Sequence, residues 1–250
     1  MEQRGAIHIF IVIKSELEKY GTPTTVNIRN TKDFIISYDT RNRIPYWVLE
    51  IISLKNFKRS QGNTRKGKKF TPDKTFNEMY QSTNKDYYMS GYDRGHMAAA
   101  GNYLHSSDLM GKTFILSNIA PQVGKNFNQG IWNQLEENIR SYIKKSIYKT
   151  AHILTGPLFI PKKVKRGNRT IYIMEYETLM GRIAVPTHFF KVIIFTNNNN
   201  TITYQSYIMP NEEISGPIYK FLRNISDIEN YSGFRIFPKI DFGRIKMLFN

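Results

Sequence analysis

The sequence predicts an α+β domain built on a central, mainly antiparallel sheet flanked by helices. Short runs rich in β-branched and aromatic residues recur along it, and Gly, Pro and Asn separate many of them. Two longer segments carry helical signals instead. Hydrophobic residues make up 40% of the 250, and aromatics 14%, which supplies a packed core and excludes a disordered chain.

The strand candidates are FIISYDT, IPYWVLEII, TFILSN, AHILTGPLFI, TIYIME, RIAVPTHFFKVIIF and TITYQSYIM. The first helix is WNQLEENIRSYIKKSIYK. Along it Ile131, Leu135, Ile139, Ile143 and Ile147 recur every four residues as an apolar stripe. The second is GPIYKFLRNISDIENYS, with Pro217 near its start and Gly233 after its end. The segment KNFKRSQGNTRKGKKFTPDK reads as a long basic loop without periodicity. IPKKVKRGNRT reads as a second basic loop, and TNNNNT as a hairpin tip. No repeat or long linker divides the chain, so residues 20–250 are expected to form one domain. Residues 1–19 are an N-terminal extension. Its run IHIFIVI is too short and too weakly flanked for a signal peptide, although Arg4 and Lys14 bracket it as in a remnant targeting segment.

Thirty-six Lys and Arg against twenty Asp and Glu give a net charge of +16. Such an excess favours a polyanionic partner, nucleic acid or an anionic membrane, over the bland alternative of a basic proteome. The chain has no cysteine, which excludes disulfides, zinc–thiolate sites and thiol nucleophiles. No apolar run approaches the roughly 18 residues of a membrane span. No G-x-S-x-G elbow appears.

Two stretches hold the chemistry. NKDYYMSGYDRGHMAAAGNY places Asp93, Arg94, Gly95 and His96 in a row and then three alanines. An acid, a cation, a flexible residue and a titratable base make a poor core strand; alone, they read most simply as a charged surface turn. Downstream, TFILSNIAPQVGKNFNQGIWNQLEENIR crowds in Asn118, Gln122, Asn126, Asn128, Gln129 and Asn133. On one continuous helix, Asn128 and Glu136 would project about 80° apart, with Leu135 and Ile139 between them. An amide and a carboxylate near an apolar face need partners. A hydrated cation and the Asp93–His96 loop would serve. The bland alternative is that Asn128 caps the helix.

SGYDRGHMAAAGN, LSNIAPQVGKNFNQGIWNQLE, LTGPLF and IAVPTHFFKV resemble the endonuclease G family of sugar-non-specific DNA/RNA nucleases, which carry a ββα-metal (His-Me) finger. The likeness runs in motif order from about Tyr20 to YSGFRIFPKI. It implies that His96 is the general base and Asn128 the one direct protein ligand of a divalent cation, Mg²⁺ or alternatively Mn²⁺. It further implies that Glu136 sits in the outer shell and orients metal-bound water. Arg94 and Asn118 support the phosphate and the loop, and Asp93 fixes the loop. Cleavage of DNA and RNA to 5′-phosphate and 3′-hydroxyl ends, a homodimer and a mitochondrial location follow from the same resemblance. The chain departs from the family at Gly101, where Ala is usual, and at Tyr103, where His is common, with His105 two positions on.

These residue types suit phosphodiester hydrolysis. A neutral imidazole accepts a proton from water near pH 7. A hard cation that keeps its waters can be held by a neutral amide. A guanidinium pairs with phosphate oxygens. The cations Arg59, Arg65, Lys66, Lys68 and Lys69, with Lys163, Lys165 and Arg166, are expected to track phosphates rather than read bases. His188 is read as a packed strand residue, and His8, His105 and His152 as surface or structural. Two other readings compete: a catalytically silent nucleic-acid-binding protein on the same fold, and a phosphodiesterase for small substrates. The first would be favoured by loss of His96 or Asn128, and both are present; the spread of the basic loops argues against the second.

Overall fold

The computed structural model describes residues 16–31 and 33–248. The first fifteen residues of the extension, His8 among them, lie outside the described residues. A 3₁₀ turn at Glu16–Glu18 precedes a meander of β1 (Ile28–Asn30), β2 (Phe34–Asp39) and β3 (Ile44–Ser53). An irregular passage containing the short helix α1 (Asn84–Tyr87) leads to β4 (Tyr92–His96). Helix α2 (Ser107–Lys112), strand β5 (Ile119–Val123) and helix α3 (Asn133–Lys144) follow. The second half runs β6 (Thr150–Leu158), β7 (Lys162–Arg166), β8 (Arg169–Ile173), β9 (Thr178–Leu179), β10 (Ile183–Ala184), β11 (His188–Thr196) and β12 (Ile202–Pro210). It ends with α4 (Ile225–Ser232) and β13 (Lys246–Met247).

Seven strands form the central sheet in the order β1-β2-β3-β6-β11-β12-β13. Every pairing is antiparallel except the short parallel contact of β12 with β13. Both faces are covered. One face presents Val48, Ile52, Ile153, Phe189, Ile193 and Phe195 to a core that includes Leu135, Ile139 and Ile143 of α3. The other presents Leu49, Leu154, Phe190, Val192 and Ile194 to Ile228 of α4, Phe237 and Leu17. Core packing thus reaches into the segment assigned to the extension. Burial on both faces explains why the central strands read as unbroken apolar runs such as FFKVIIF. No helix among the described residues is long and apolar enough to cross a membrane.

Several local expectations change. The second basic loop is an antiparallel hairpin, β7 with β8, with most of its residues exposed. The TFILSN segment becomes a 3₁₀ turn at Leu116–Asn118, and the strand starts at Ile119. Pro186 divides RIAVPTHFFKVIIF into β10 and β11, since proline has no N–H for a ladder. Helix α3 stops at Lys144, which leaves Ile147 half exposed. The second helix is split: a 3₁₀ turn at Ile218–Phe221 precedes α4, which ends on Gly233 at φ +76°. That left-handed C-terminal position favours glycine.

Candidate active site

β4 and β5 form a separate antiparallel pair with His96 opposite Ile119 and Asp93 opposite Gln122. With α3 they make a ββα unit set against the central sheet. Between Val123 and α3 the chain does not follow one helix. Asn126 has φ +61°, and Gly130 has φ −113° and ψ −111°. The helical projection relating Asn128 to Glu136 therefore fails. Asn128 lies before the break and Glu136 after it, yet both reach one cleft of about 530 Å³. Asn128 does not cap α3: its side-chain amide donates to Asp93 Oδ2 at 2.8 Å. Gln129 Nε2 donates to the same oxygen at 2.8 Å. An ionised carboxylate only accepts, so Asp93 takes the NH₂ end of Asn128 and leaves its carbonyl oxygen for the cleft.

His96 lines the cleft at the end of β4, with its ring 5.4 Å from Phe70 and 4.8 Å from Phe114 between centroids. Its Nε2 is closed off from solvent and has no hydrogen-bond partner among the described residues. Burial drives the imidazole from 6.5 down to about 3, and the nearby Arg65 charge adds to that. The ring is therefore neutral throughout the physiological range. Arg94 is exposed. Its guanidinium stacks 4.7 Å from the Phe70 centroid and donates to Asn84 Oδ1 at 2.8 Å. Asn84 in turn donates to the Phe70 carbonyl at 2.8 Å, which holds ring and guanidinium together.

Gly95 is required at its place. The buried side-chain amide of Gln122 lies directly over it, and a Cβ there would overlap that amide. The alanine run that follows is buried, from Met97 to Ala100. Asn118 is fully buried and does not line the cleft. Its Oδ1 accepts from Ala98 N at 2.9 Å, and its Nδ2 donates to Ala98 O at 3.0 Å and Thr113 O at 2.8 Å. The side chain thus extends the β4–β5 ladder beyond its end. It secures the loop after His96.

The basic loop is less uniform than its composition suggests. Arg65 lines the cleft, 5.7 Å from the Phe114 centroid. Lys68 donates to Ser107 O and Oγ at 2.8 and 2.6 Å, and Arg59 donates to Asn63 O at 2.6 Å. Both therefore help to shape the loop. Lys66 and Lys69 are left more open. Arg140, which on sequence is one more charge along a helix, also lines the cleft. It reaches Glu136 Oε2 at 3.5 Å and Asn102 Oδ1 at 3.4 Å. Gly101, where the family usually has Ala, faces that guanidinium; a Cβ there would stand 3.3 Å from its Nη1. Tyr103 is buried and donates to Glu50 Oε2 at 3.1 Å, a structural role well away from solvent. Of the other histidines, His188 sits half-buried at the start of β11, and His152 is buried with its Nε2 2.9 Å from Glu16 O.

A cation fits this donor set only if it keeps most of its waters. Among the described residues no three His, Asp or Glu side chains cluster to ligate a metal. The cleft instead offers the Asn128 carbonyl oxygen and the Glu136 carboxylate. That combination suits a hard, strongly hydrated ion such as Mg²⁺ and not zinc.

The family model described as DNA/RNA non-specific endonuclease matches residues 13–242. The mitochondrial endonuclease G of Caenorhabditis elegans is 40% identical over 230 residues, covering 91% of this chain and 73% of its own length. Nuclease C1 of Cunninghamella echinulata var. echinulata is 38% identical over 226 residues, covering 89% and 88%. A chain solved in the crystal structure of the EndoG/EndoGI complex superposes with a TM-score of 0.86 at 37% identity, covering 92% of this chain and 94% of that one.

Proposed function

The chain belongs to the DNA/RNA non-specific endonuclease family, and from that premise we propose how its own residues hydrolyse the phosphodiester backbone. The observation that supports the reading is one cleft lined by a half-buried neutral imidazole, an amide turned by a carboxylate, and three guanidiniums, Arg65, Arg94 and Arg140. His96 takes a proton from a water molecule. Because Nε2 is enclosed, Nδ1 is the nitrogen that faces the reaction. The water oxygen bonds to phosphorus and the bond from phosphorus to the 3′ oxygen breaks. The products are a 5′-phosphate and a 3′-hydroxyl. Arg65, Arg94 and Arg140 offset the added negative charge on the phosphoryl oxygens.

Asn128 and Glu136 would hold a hydrated Mg²⁺, with Mn²⁺ as a substitute. When bound, such an ion supplies Lewis acidity at the phosphate and an acidic water for the departing oxygen. Asp93 fixes the Asn128 amide, and Asn118 fixes the chain after His96. Arg59, Arg65, Lys66, Lys68 and Lys69 supply the phosphate-tracking surface, with Arg59 and Lys68 acting through the shape of their loop. Residues 20–250 work as one nuclease domain behind the 1–19 extension. The names of the relatives support a mitochondrial location, and family resemblance supports a homodimer.

Plasmid nicking and RNA degradation by the purified chain, with and without EDTA, test the proposal. Cleavage of both substrates, abolished by EDTA and restored by Mg²⁺, is expected. Cleavage that persists in EDTA would overturn the cation requirement.

A further inference from the structure

The face of the central sheet beneath α3 is apolar at nearly every inward position: Val48 and Ile52 on β3, Ala151 and Ile153 on β6, and Phe189, Ile193 and Phe195 on β11. Three polar residues interrupt it on these neighbouring strands, namely Glu50, Thr155 and Lys191. Lys191 is 1% exposed. Burying an ammonium costs several kcal/mol unless it is compensated, so its presence needs a cause. Thr155 stands opposite it in the β6–β11 register and accepts its Nζ hydrogen bond at 2.7 Å. The Trp132 ring lies 4.6 Å from Nζ. Among the described residues the carboxylate within ion-pair distance is Glu136, whose Oε1 is 4.0 Å away, and the charge of buried Glu50 also acts on the ammonium.

Glu136 is thus held between two cations. Oε1 faces Lys191 in the sheet, and Oε2 faces Arg140 at the cleft. The chain of contacts continues below: Arg140 reaches Asn102 Oδ1, and Asn102 Nδ2 donates to Glu50 Oε2 at 3.0 Å. We propose, building on the active-site reading above, that Lys191 is a positioning residue that aims and charge-balances the Glu136 carboxylate from beneath the cleft. Thr155 tethers the ammonium and Trp132 walls it in. A lysine kept only for core packing would have no reason to sit under the one carboxylate that crosses from core to cleft.

The test is a mutant cycle of Lys191→Met and Glu136→Gln, read in four ways: kcat, KM, DNA affinity and Mn²⁺ affinity. The two affinities are measured in the His96→Ala background, with free Mn²⁺ followed by its paramagnetic resonance. Lys191→Met should lower kcat by about 10–100-fold, the range for outer partners of a metal site, with KM and DNA Kd within about threefold. In the Glu136→Gln background it should cost less than about threefold more, because coupled residues are not additive. Mn²⁺ affinity should shift by similar factors in either single variant, and no further in the double. Thr155→Val, which removes the tether and keeps the charge, gives a smaller loss with the same non-additivity and serves if Lys191→Met does not fold. Full activity of Glu136→Gln would overturn the reading of Glu136 itself, and the inference with it. An impaired Glu136→Gln with fully additive losses would overturn the role of Lys191 alone.

Discussion

Asp93 and Asn128 meet through a single hydrogen bond, Nδ2 to Oδ2 at 2.8 Å, that sets which end of the amide faces the cleft. The carboxylate has no proton to give, so the bond decides between two otherwise equivalent orientations of Asn128. Gln129 donates to the same oxygen, and Gly124 leaves room for the carboxylate, since a Cβ there would stand 3.0 Å from Oδ1.

Replacing Asp93 by Asn removes that bias at constant size. The new amide can donate to Asn128 and turn its NH₂ inward. Activity should fall about 10–100-fold, as for other outer partners of metal ligands, and half-activation should need more Mg²⁺. DNA affinity should be unchanged. A metal titration of the nicking rate decides it; a wild-type curve would show that Asp93 merely closes the loop.

His96→Ala should abolish nearly all cleavage while binding survives. The base acts in the transition state, whereas affinity sums over many phosphate contacts. Nicking rate and DNA Kd are measured on the same preparation. A mutant within about tenfold of wild type, below the roughly 10²–10⁴ that a general base supplies, would remove His96 from the mechanism.

The same ring leaves a signature in stability. Its folded pKa, about 3, lies below the ordinary 6.5. As pH drops from 6.5 towards 3 the unfolded chain binds a proton that the folded site refuses, so stability falls. The slope is up to about 1.4 kcal/mol per pH unit for this group. His152 and His188 are lowered as well and steepen the wild-type curve. Buried Glu50, raised to about 7, works oppositely: its contribution is lost as pH rises from the ordinary carboxylate range through 7. The difference between wild type and His96→Ala isolates the imidazole. Urea unfolding at pH 7 and pH 5 should show the mutant losing less stability. Equal losses would mean that the ring is protonated in the fold.

Lys66 and Lys69 should carry phosphate contacts with no share in catalysis. Replacing both with Ser in the His96→Ala background should lower the slope of log K against log salt by up to about two units on duplex DNA. DNA and RNA should weaken alike, since phosphate contacts carry no sugar information. In the active enzyme, Arg65→Ala should reduce kcat as well, because that side chain lines the cleft. An unchanged salt slope would detach the loop from the substrate.

Gly95→Ala should destabilise the protein by about 1–3 kcal/mol, the usual cost of overpacking. The new methyl meets the Gln122 amide, whose two polar atoms already lack partners among the described residues. The double variant with Gln122→Ala should recover most of the loss in thermal unfolding. No recovery would place the strain in the backbone instead.

The finger was legible in the sequence through the order and spacing of motifs that resemble the endonuclease G family, while its residue types alone read as a charged surface turn. What escaped notice depends on strands far apart in the chain. Lys191 sits in FFKVIIF and reads as one polar residue in a strand; its partners come from β6 and α3. Arg140 reads as a solvated charge on a helix until Gly101 is found to make room for it. Phe70 lies in a stretch of lysines and has no period to reveal it. The 80° projection failed for a local reason, since Asn126 and Gly130 take backbone angles that no helix contains.

Phe70 has one further consequence. Besides the His96 imidazole, it is the one aromatic ring among the described residues that line the cleft. Arg94 covers it, and the same ring packs beside His96. The guanidinium thus takes a face that could otherwise stack on an unpaired nucleobase, which is how proteins usually grip single strands without regard to sequence. Preference among substrates should therefore follow the contour of the sugar–phosphate chain: groove width, bending and the spacing of its charges. Chemical damage to a base should go unnoticed, while a kink or nick in the backbone should attract the enzyme.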